Sequence, residues 1–251
     1  MHAGWAAQSG VRAALLAAHG FLGPRTVMEG EHGFFHAFSS PVVTPDYNEI
    51  VGGLGEIWRM EGVAFKPYAC GTMAHPFIDC AIRMTEDGIA PADVAHIHCR
   101  VGEGTVHRLW EPLAEKHRPT TPYSAKFSVP FCIAVAAHDG AVGLGQFTEA
   151  RISDPSVLAL AGKVNYEIDP DNEYPRNYTG HLRVTLESGE VREFHQAYLR
   201  GGVREKLTHE ELLSKFYANA EHGGWPQSRT LQLENLCSGI FDQKQIDFSQ
   251  I

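Results

Sequence analysis

The sequence predicts an α+β fold: helical segments from both chain ends packed together, with an inserted two-layer α+β domain between them. Three observations predict it. Apolar residues recur at three- and four-residue intervals near the N-terminus. From about Trp58 the pattern changes to alternation mixed with helical runs, and near Thr208 the helical period returns. The expected parts are residues 1–56 (helical), 57–204 (inserted α+β) and 205–251 (a return to the helical part).

The elements follow in order. Ala6, Ala7, Val11, Ala14, Leu15 and Ala18 define a helix over 5–19, stopped by Gly20. Pro24 suits a first helical turn, so a short helix is expected from Pro24 to Glu29. The glycine-containing stretch 39–55 reads as a connection with one short helix over Tyr47–Val51. "WRMEGVAFKPYA" predicts a strand, and "AHPFIDCAIRMTEDG" a helix ending at Gly88 with Phe77, Ile78, Ala81 and Ile82 on its apolar face. "VAHIHCRV" alternates as a strand. "SAKFSVPFCIAVAAHDG" predicts a buried helix ending at Gly140, with Pro130 kinking it or lying in its first turn. Asp154 caps a short helix begun by Pro155, and "KVNYEID" follows as a strand. "HLRVTLESGEVREFHQAY" is a β-hairpin around Ser188-Gly189. Thr208 and Glu211 form a capping box that opens a helix, and a last helix is expected over Thr230–Phe241.

Composition narrows the function. The formal net charge is −9 over 251 residues, which argues against a nucleic-acid partner. An acidic protein that binds an acidic ligand needs a local cluster of cations or helix N-termini. Five widely spaced cysteines without a CxxC suggest reduced thiols and a cytoplasmic location. No apolar run reaches the ~18 residues of a membrane span, and the N-terminus lacks the basic segment of a signal peptide.

Several motifs carry residue types suited to chemistry. His32 and His36 are spaced for one helix face, but Gly30 and Gly33 oppose a helix, and neither an HExxH glutamate nor a third ligand accompanies them. No metal is expected. His96 and His98 share a strand face, which reads as an ordinary half-exposed surface more readily than as a site wall. Cys70 lies near Lys66 and a helix start, both of which lower a thiol pKa, although free cysteines are usually buried and inert. The richest stretch is "FKPYACGTMAHP". Pro67 forces Lys66 to be extended, and Gly71 permits a close approach or a positive φ. A helix start near Pro76, with Lys66 and His75 beside it, offers a carboxylate site. An ordinary strand-to-helix loop with a surface lysine fits these residues equally well.

"FKPYACGTMAHPFIDCAI" resembles the lysine-proline-tyrosine loop of the MmgE/PrpD family, which includes 2-methylcitrate dehydratases and cis-aconitate decarboxylases. "HAGWAAQSGVRAALLAAHGFLGP" with "EGEHGFFHAF", "TPYSAKFSVPFCIAVAAHDG" and "LTHEELLSKFYANA" resemble further family segments in the same order. The resemblance implies a helical domain built from both chain ends and an α+β lid over residues 57–204. It implies that this chain covers the C-terminal half of the usual length, so that the N-terminal half and its site residues are expected to be absent. Two local departures stand out. Some active relatives carry a histidine where this chain has Gly71, and a tyrosine is common where it has Phe131.

The resemblance further implies a lyase acting on a small di- or tricarboxylic acid by proton abstraction next to a carboxylate, or by loss of a carboxyl group. Lys66 would stabilise the enediolate-like charge and His75 would act as acid or base. His2, Tyr68, Gly71 and Tyr123 would contact the substrate. No cofactor is required. The expected partners are the carboxylic acid and either a second copy of the chain or a separate chain carrying the N-terminal half, without nucleic acid or membrane. A non-catalytic remnant or binding subunit is the alternative.

Overall fold

The structure is a computed structural model and describes residues 2–39, 45–243 and 245. The chain divides into two compact units, residues 1–58 and 59–251.

In the first unit, α1 runs from His2 to Ala18, as its periodicity requires. The short helices α2 (Phe34–Phe38) and α3 (Tyr47–Val51) follow. Asp46 caps α3 by accepting from the Asn48 and Glu49 amides. The expected helix over Pro24–Glu29 is instead a series of turns. Gly30 N–H reaches Thr26 O at 2.9 Å, but Gly30 and Gly33 offer poor propagation after that costly first turn. His32 lies in this turn, outside α2, so it does not share a helix face with His36.

The second unit contains a four-stranded sheet in the order β2-β1-β3-β4. The strands are β1 (Val94–Val101), β2 (Val164–Ile168), β3 (Gly180–Leu186) and β4 (Val191–Gln196). β1 and β2 are parallel; β1/β3 and β3/β4 are antiparallel. The hairpin turns at Gly189, whose φ of 86° suits glycine. Helix α4 (His75–Glu86) precedes β1. The β1–β2 crossover holds α5 (Glu103–Leu109), α6 (Leu113–His117), α7 (Pro122–Ala125), α8 (Val129–Asp139), α9 (Glu149–Ile152) and α10 (Pro155–Ala161). Helices α11 (His209–His222) and α12 (Gln227–Ser238) close the chain, the latter followed by a 3-10 turn over Ile240–Asp242. The predicted caps form: Asp154 accepts from Ser156 and Val157 amides, and Thr208 with Glu211 makes the capping box. Pro130 sits in the first turn of α8 and does not kink it.

The core lies between the sheet and its helices. Helix α4 packs on β3, β4 and α8, and α8 packs in turn on α6 and α10. Val94, Ile97, Cys99, Val101, Leu182 and Val184 face this layer and are buried. Gly180 permits the closest approach: a Cβ there would lie 2.4 Å from the Pro76 carbonyl. The opposite sheet face carries His96 and His98, whose rings stack at 6.3 Å, together with His181, Arg183 and Glu193.

One expected strand is absent. Arg59–Gly62 forms a 3-10 turn, and the chain reaches Lys66 without joining the sheet. Met60, Val63 and Phe65 are exposed, so their alternation gains no buried face. Phe65 N–H does find Gly201 O at 2.9 Å.

Candidate functional site

Three backbone hydrogen bonds place the 65–71 loop. Phe65 N–H donates to Gly201 O, Ala69 N–H to Val142 O and Gly71 N–H to Lys126 O, at 2.9, 3.0 and 2.9 Å. The last brings Lys126 beside the Lys66 loop. Gly71 has a φ of −59°, so the positive φ allowed for it is not used. A Cβ would meet Lys126 O at 3.4 Å and Leu109 Cδ2 at 3.5 Å, which is ordinary close contact.

The loop forms one wall of a pocket of about 380 Å³, within the range of small-molecule sites. Its polar lining comprises Lys66, Lys126, Lys215, Tyr68, Tyr123 and Asn219, with Cys70 and Gly71 on the loop itself. Among the described residues no carboxylate lines it. Among the described residues, none of the three lysines is in an ion pair. Lys66 Nζ donates to Cys70 O at 3.4 Å, and Lys126 Nζ sits 5.5 Å from the Phe147 ring centre. The three lysines form a local positive cluster that suits an anion in a protein of net charge −9, with Lys215 shared with a neighbouring cleft. A neighbouring cleft of about 1060 Å³ is larger but lined by Asp79, Glu86, Glu205, Glu210, Glu211 and Glu221 as well as by cations. Its mixed charge suits a carboxylate poorly.

Tyr68 separates the two spaces. Its hydroxyl donates to Asp79 Oδ1 at 2.5 Å and accepts from Arg200 Nη2 at 3.0 Å. Arg200 also donates from Nε to Asp79 at 2.9 Å and from Nη1 to Glu211 Oε1 at 2.6 Å. The other Glu211 oxygen accepts from Thr208 N–H, closing the capping box of α11. One guanidinium therefore ties the lysine loop, α4 and α11 together. Burial, then the Asp79 charge, pushes the Tyr68 phenol well above its ordinary range.

His75 is the first residue of α4 and is fully buried. It meets Tyr68 edge-on at 5.3 Å and does not line the pocket. The α4 N-terminus is itself covered, with Ala74, His75 and Pro76 buried and Gly180 against Pro76. The α4 start, at which a carboxylate site is expected, is therefore buried, and the lysine-lined pocket lies on the loop before it. Tyr123 stands at the rim, 72% exposed. His2 is exposed on α1 in the other unit. Phe131 is fully buried.

Sequence reasoning missed Lys126, Lys215 and Arg200. Lys126 carries no local signal; it joins through the Gly71 hydrogen bond. Asp79 was detectable as a carboxylate inside the apolar run "FIDCAI". Among the described residues no group of three or more His, Cys, Asp or Glu is placed to hold a metal ion. No helix among them is long and apolar enough to cross a membrane.

The second unit thus carries a lysine-lined pocket walled by a Lys-Pro-Tyr loop. The chain belongs to the MmgE/PrpD family: its C-terminal domain pattern matches residues 68–238 and its N-terminal domain pattern residues 1–44. The chain is 29% identical over 229 residues to cis-aconitate decarboxylase of Homo sapiens, covering 88% of this chain and 45% of that protein. It is 26% identical over 253 residues to cis-aconitate decarboxylase of Aspergillus terreus, covering 94% and 50%. The Mus musculus cis-aconitate decarboxylase is 27% identical over 233 residues, covering 88% and 45%. The chain thus spans about half the length of the curated relatives it matches.

Proposed function

We propose that this chain forms the lysine-loop side of an MmgE/PrpD-type lyase site for a small di- or tricarboxylic acid, with cis-aconitate the first candidate. The observation that carries the reading is a pocket of three lysines with no lining carboxylate among the described residues. Lys66, Lys126 and Lys215 hold the substrate carboxylates. Lys66 also stabilises the negative charge that develops when a proton or carbon dioxide leaves the carbon next to a carboxylate. Tyr68 keeps the loop in place through Asp79 and Arg200, and Tyr123 closes the rim. We place the reaction in the cytoplasm, where the five unpaired thiols stay reduced.

The partner we propose is a second copy of the chain or a separate chain carrying the N-terminal part of the family's length. The apolar side chains exposed on α1, including Trp5 at 65% and Val11 at 60%, support such an interface. A binding subunit without turnover is the second reading. It is favoured by the buried Phe131 and by Gly71, at positions where the family resemblance implies that a tyrosine is common and that some active relatives carry a histidine.

The test is turnover of cis-aconitate, citrate and 2-methylcitrate, followed by unsaturated-acid absorbance, with the chain alone and with its candidate partner. The lyase reading expects activity that falls ~10²–10⁴-fold in Lys66→Ala. Carboxylate binding without turnover under either condition supports the binding-subunit reading. Activity unchanged in Lys66→Ala refutes the site.

A further inference from the structure

Lys66 and Lys215 reach the pocket from separate stretches of chain, the 65–71 loop and α11. A ligand with two carboxylates can hold both ammonium groups at once only if their separation is fixed. Arg200 touches both stretches from behind the pocket, where it lines the neighbouring cleft. With Gly201 it brackets Lys66. On one side of the lysine, Gly201 O accepts from Phe65 N–H at 2.9 Å. On the other, Arg200 Nη2 donates to the Tyr68 hydroxyl at 3.0 Å, and Pro67, with its φ locked, links Lys66 to Tyr68. Gly201 has a φ of 88°, and a Cβ there would lie 2.1 Å from Phe65 O, so the approach requires glycine. Gly201 N–H donates in turn to Glu205 O at 2.7 Å, which anchors the bracket to the segment leading into α11.

The same guanidinium holds α11. Its Nη1 donates to Glu211 Oε1 at 2.6 Å, and Glu211 Oε2 accepts from Thr208 N–H at 2.7 Å. Lys215 stands four residues after Glu211, one turn along the same helix face. Nε donates to Asp79 Oδ1 at 2.9 Å and so ties the fork to α4. Three donors of one planar group therefore point to the loop, to α11 and to α4. A lysine ammonium has no planar fork with which to reproduce those directions.

We propose that Arg200, seated by Gly201, is a positioning residue that sets the separation of Lys66 and Lys215 and so selects ligands whose carboxylates stand one particular distance apart. The proposal rests on the pocket reading given above. With the fork in place, a diacid of matching length makes a charge-assisted hydrogen bond at each end. Without it, each lysine still binds a carboxylate, but the two no longer meet the same ligand together. One of the two bonds is lost and the other is kept. Arg200 thus acts on specificity through the two lysines and without touching the ligand itself.

The test is calorimetric titration of the full chain with malonate, succinate, glutarate, adipate and cis-aconitate, and with propionate as the monocarboxylate. Wild type is compared with Arg200→Lys and Glu211→Gln, each checked for folding by circular dichroism. Arg200→Lys keeps a cation beside Asp79. Glu211→Gln keeps an oxygen for the Thr208 amide and removes the charge facing Arg200, a half-exposed pair whose loss costs the fold little. Wild type is expected to favour one diacid length over the others by about tenfold. Both variants are expected to bind that diacid and cis-aconitate about tenfold more weakly, to lose the length preference, and to bind propionate within about twofold of wild type. An unchanged length preference in either variant overturns the assignment. So does propionate binding that falls in step with diacid binding, because it marks a general loosening of the pocket. Failure of wild type to bind any of these acids overturns the pocket reading and this one with it. Binding that Lys66→Ala weakens and both fork variants leave at the wild-type level overturns this one alone.

Discussion

Replacing Arg200 with methionine removes the guanidinium that joins the lysine loop, α4 and α11 while keeping most of the side-chain length. The two carboxylates it pairs are not equivalent. The Glu211 side chain is 41% exposed and Asp79 only 8%. The exposed pair contributes at most ~1 kcal/mol. Leaving a buried carboxylate without its partner costs ~3–5 kcal/mol. The Arg200 side chain is itself 26% exposed, so water offsets part of that loss, and we expect destabilisation of about 3 kcal/mol. For a unit of this size each kcal/mol moves the melting temperature by ~2–4 °C, giving a fall of about 6–12 °C. Thermal melts followed by circular dichroism measure it. Arg200→Met combined with Asp79→Asn removes the stranded charge and is expected to recover at least ~1.5 kcal/mol. A drop below ~1 kcal/mol in the single variant, or strict additivity in the double, refutes the clamp as a buried charge network.

Further outcomes follow from the same geometry. The Tyr68 phenol has a raised folded pKa, so its contribution is fully present below the unfolded value of ~10 and is lost as pH rises above it. Urea midpoints from pH 8 to 11 are expected to fall more steeply in wild type than in Tyr68→Phe, and parallel curves would contradict this. Gly180→Ala places a methyl against the Pro76 carbonyl and is expected to cost ~1–3 kcal/mol; an unchanged denaturation midpoint would show that the approach relaxes freely. Thr208→Ala breaks the capping box at α11 and is expected to cost ~1 kcal/mol, read by the same denaturation.

Much of this fold is legible from local sequence. The capping box at Thr208, the cap at Asp154 and the alternation through 181–196 each encode their element within a few residues. The 24–29 turns and the 58–69 segment were misread for one shared reason. Pro24 and the alternation after Trp58 express local preference, whereas a helix must propagate and a strand must find a ladder partner. Neither condition is visible in a short window. The site divides similarly. Lys66, Tyr68 and Cys70 stand together in one quoted stretch. Lys126 and Lys215 reach the same pocket from other parts of the second unit, and Arg200 reaches Tyr68 across 132 residues. Such convergence is a property of packing, with no periodicity or motif to announce it.

The central claim is that three lysines, none in an ion pair among the described residues, make a carboxylate pocket at the Lys-Pro-Tyr loop, and calorimetric titration tests it most directly. Cis-aconitate would be titrated into wild type, Lys66→Ala, Lys126→Ala and Lys215→Ala, with a monocarboxylate of similar size as the control ligand. A charge-assisted hydrogen bond contributes ~1.5 kcal/mol or more, so each substitution is expected to weaken cis-aconitate binding about tenfold. The same substitutions should cost the monocarboxylate less, and wild type should prefer the tricarboxylate. Affinity equal to wild type in the three variants, or no preference for the tricarboxylate in wild type, would contradict the account.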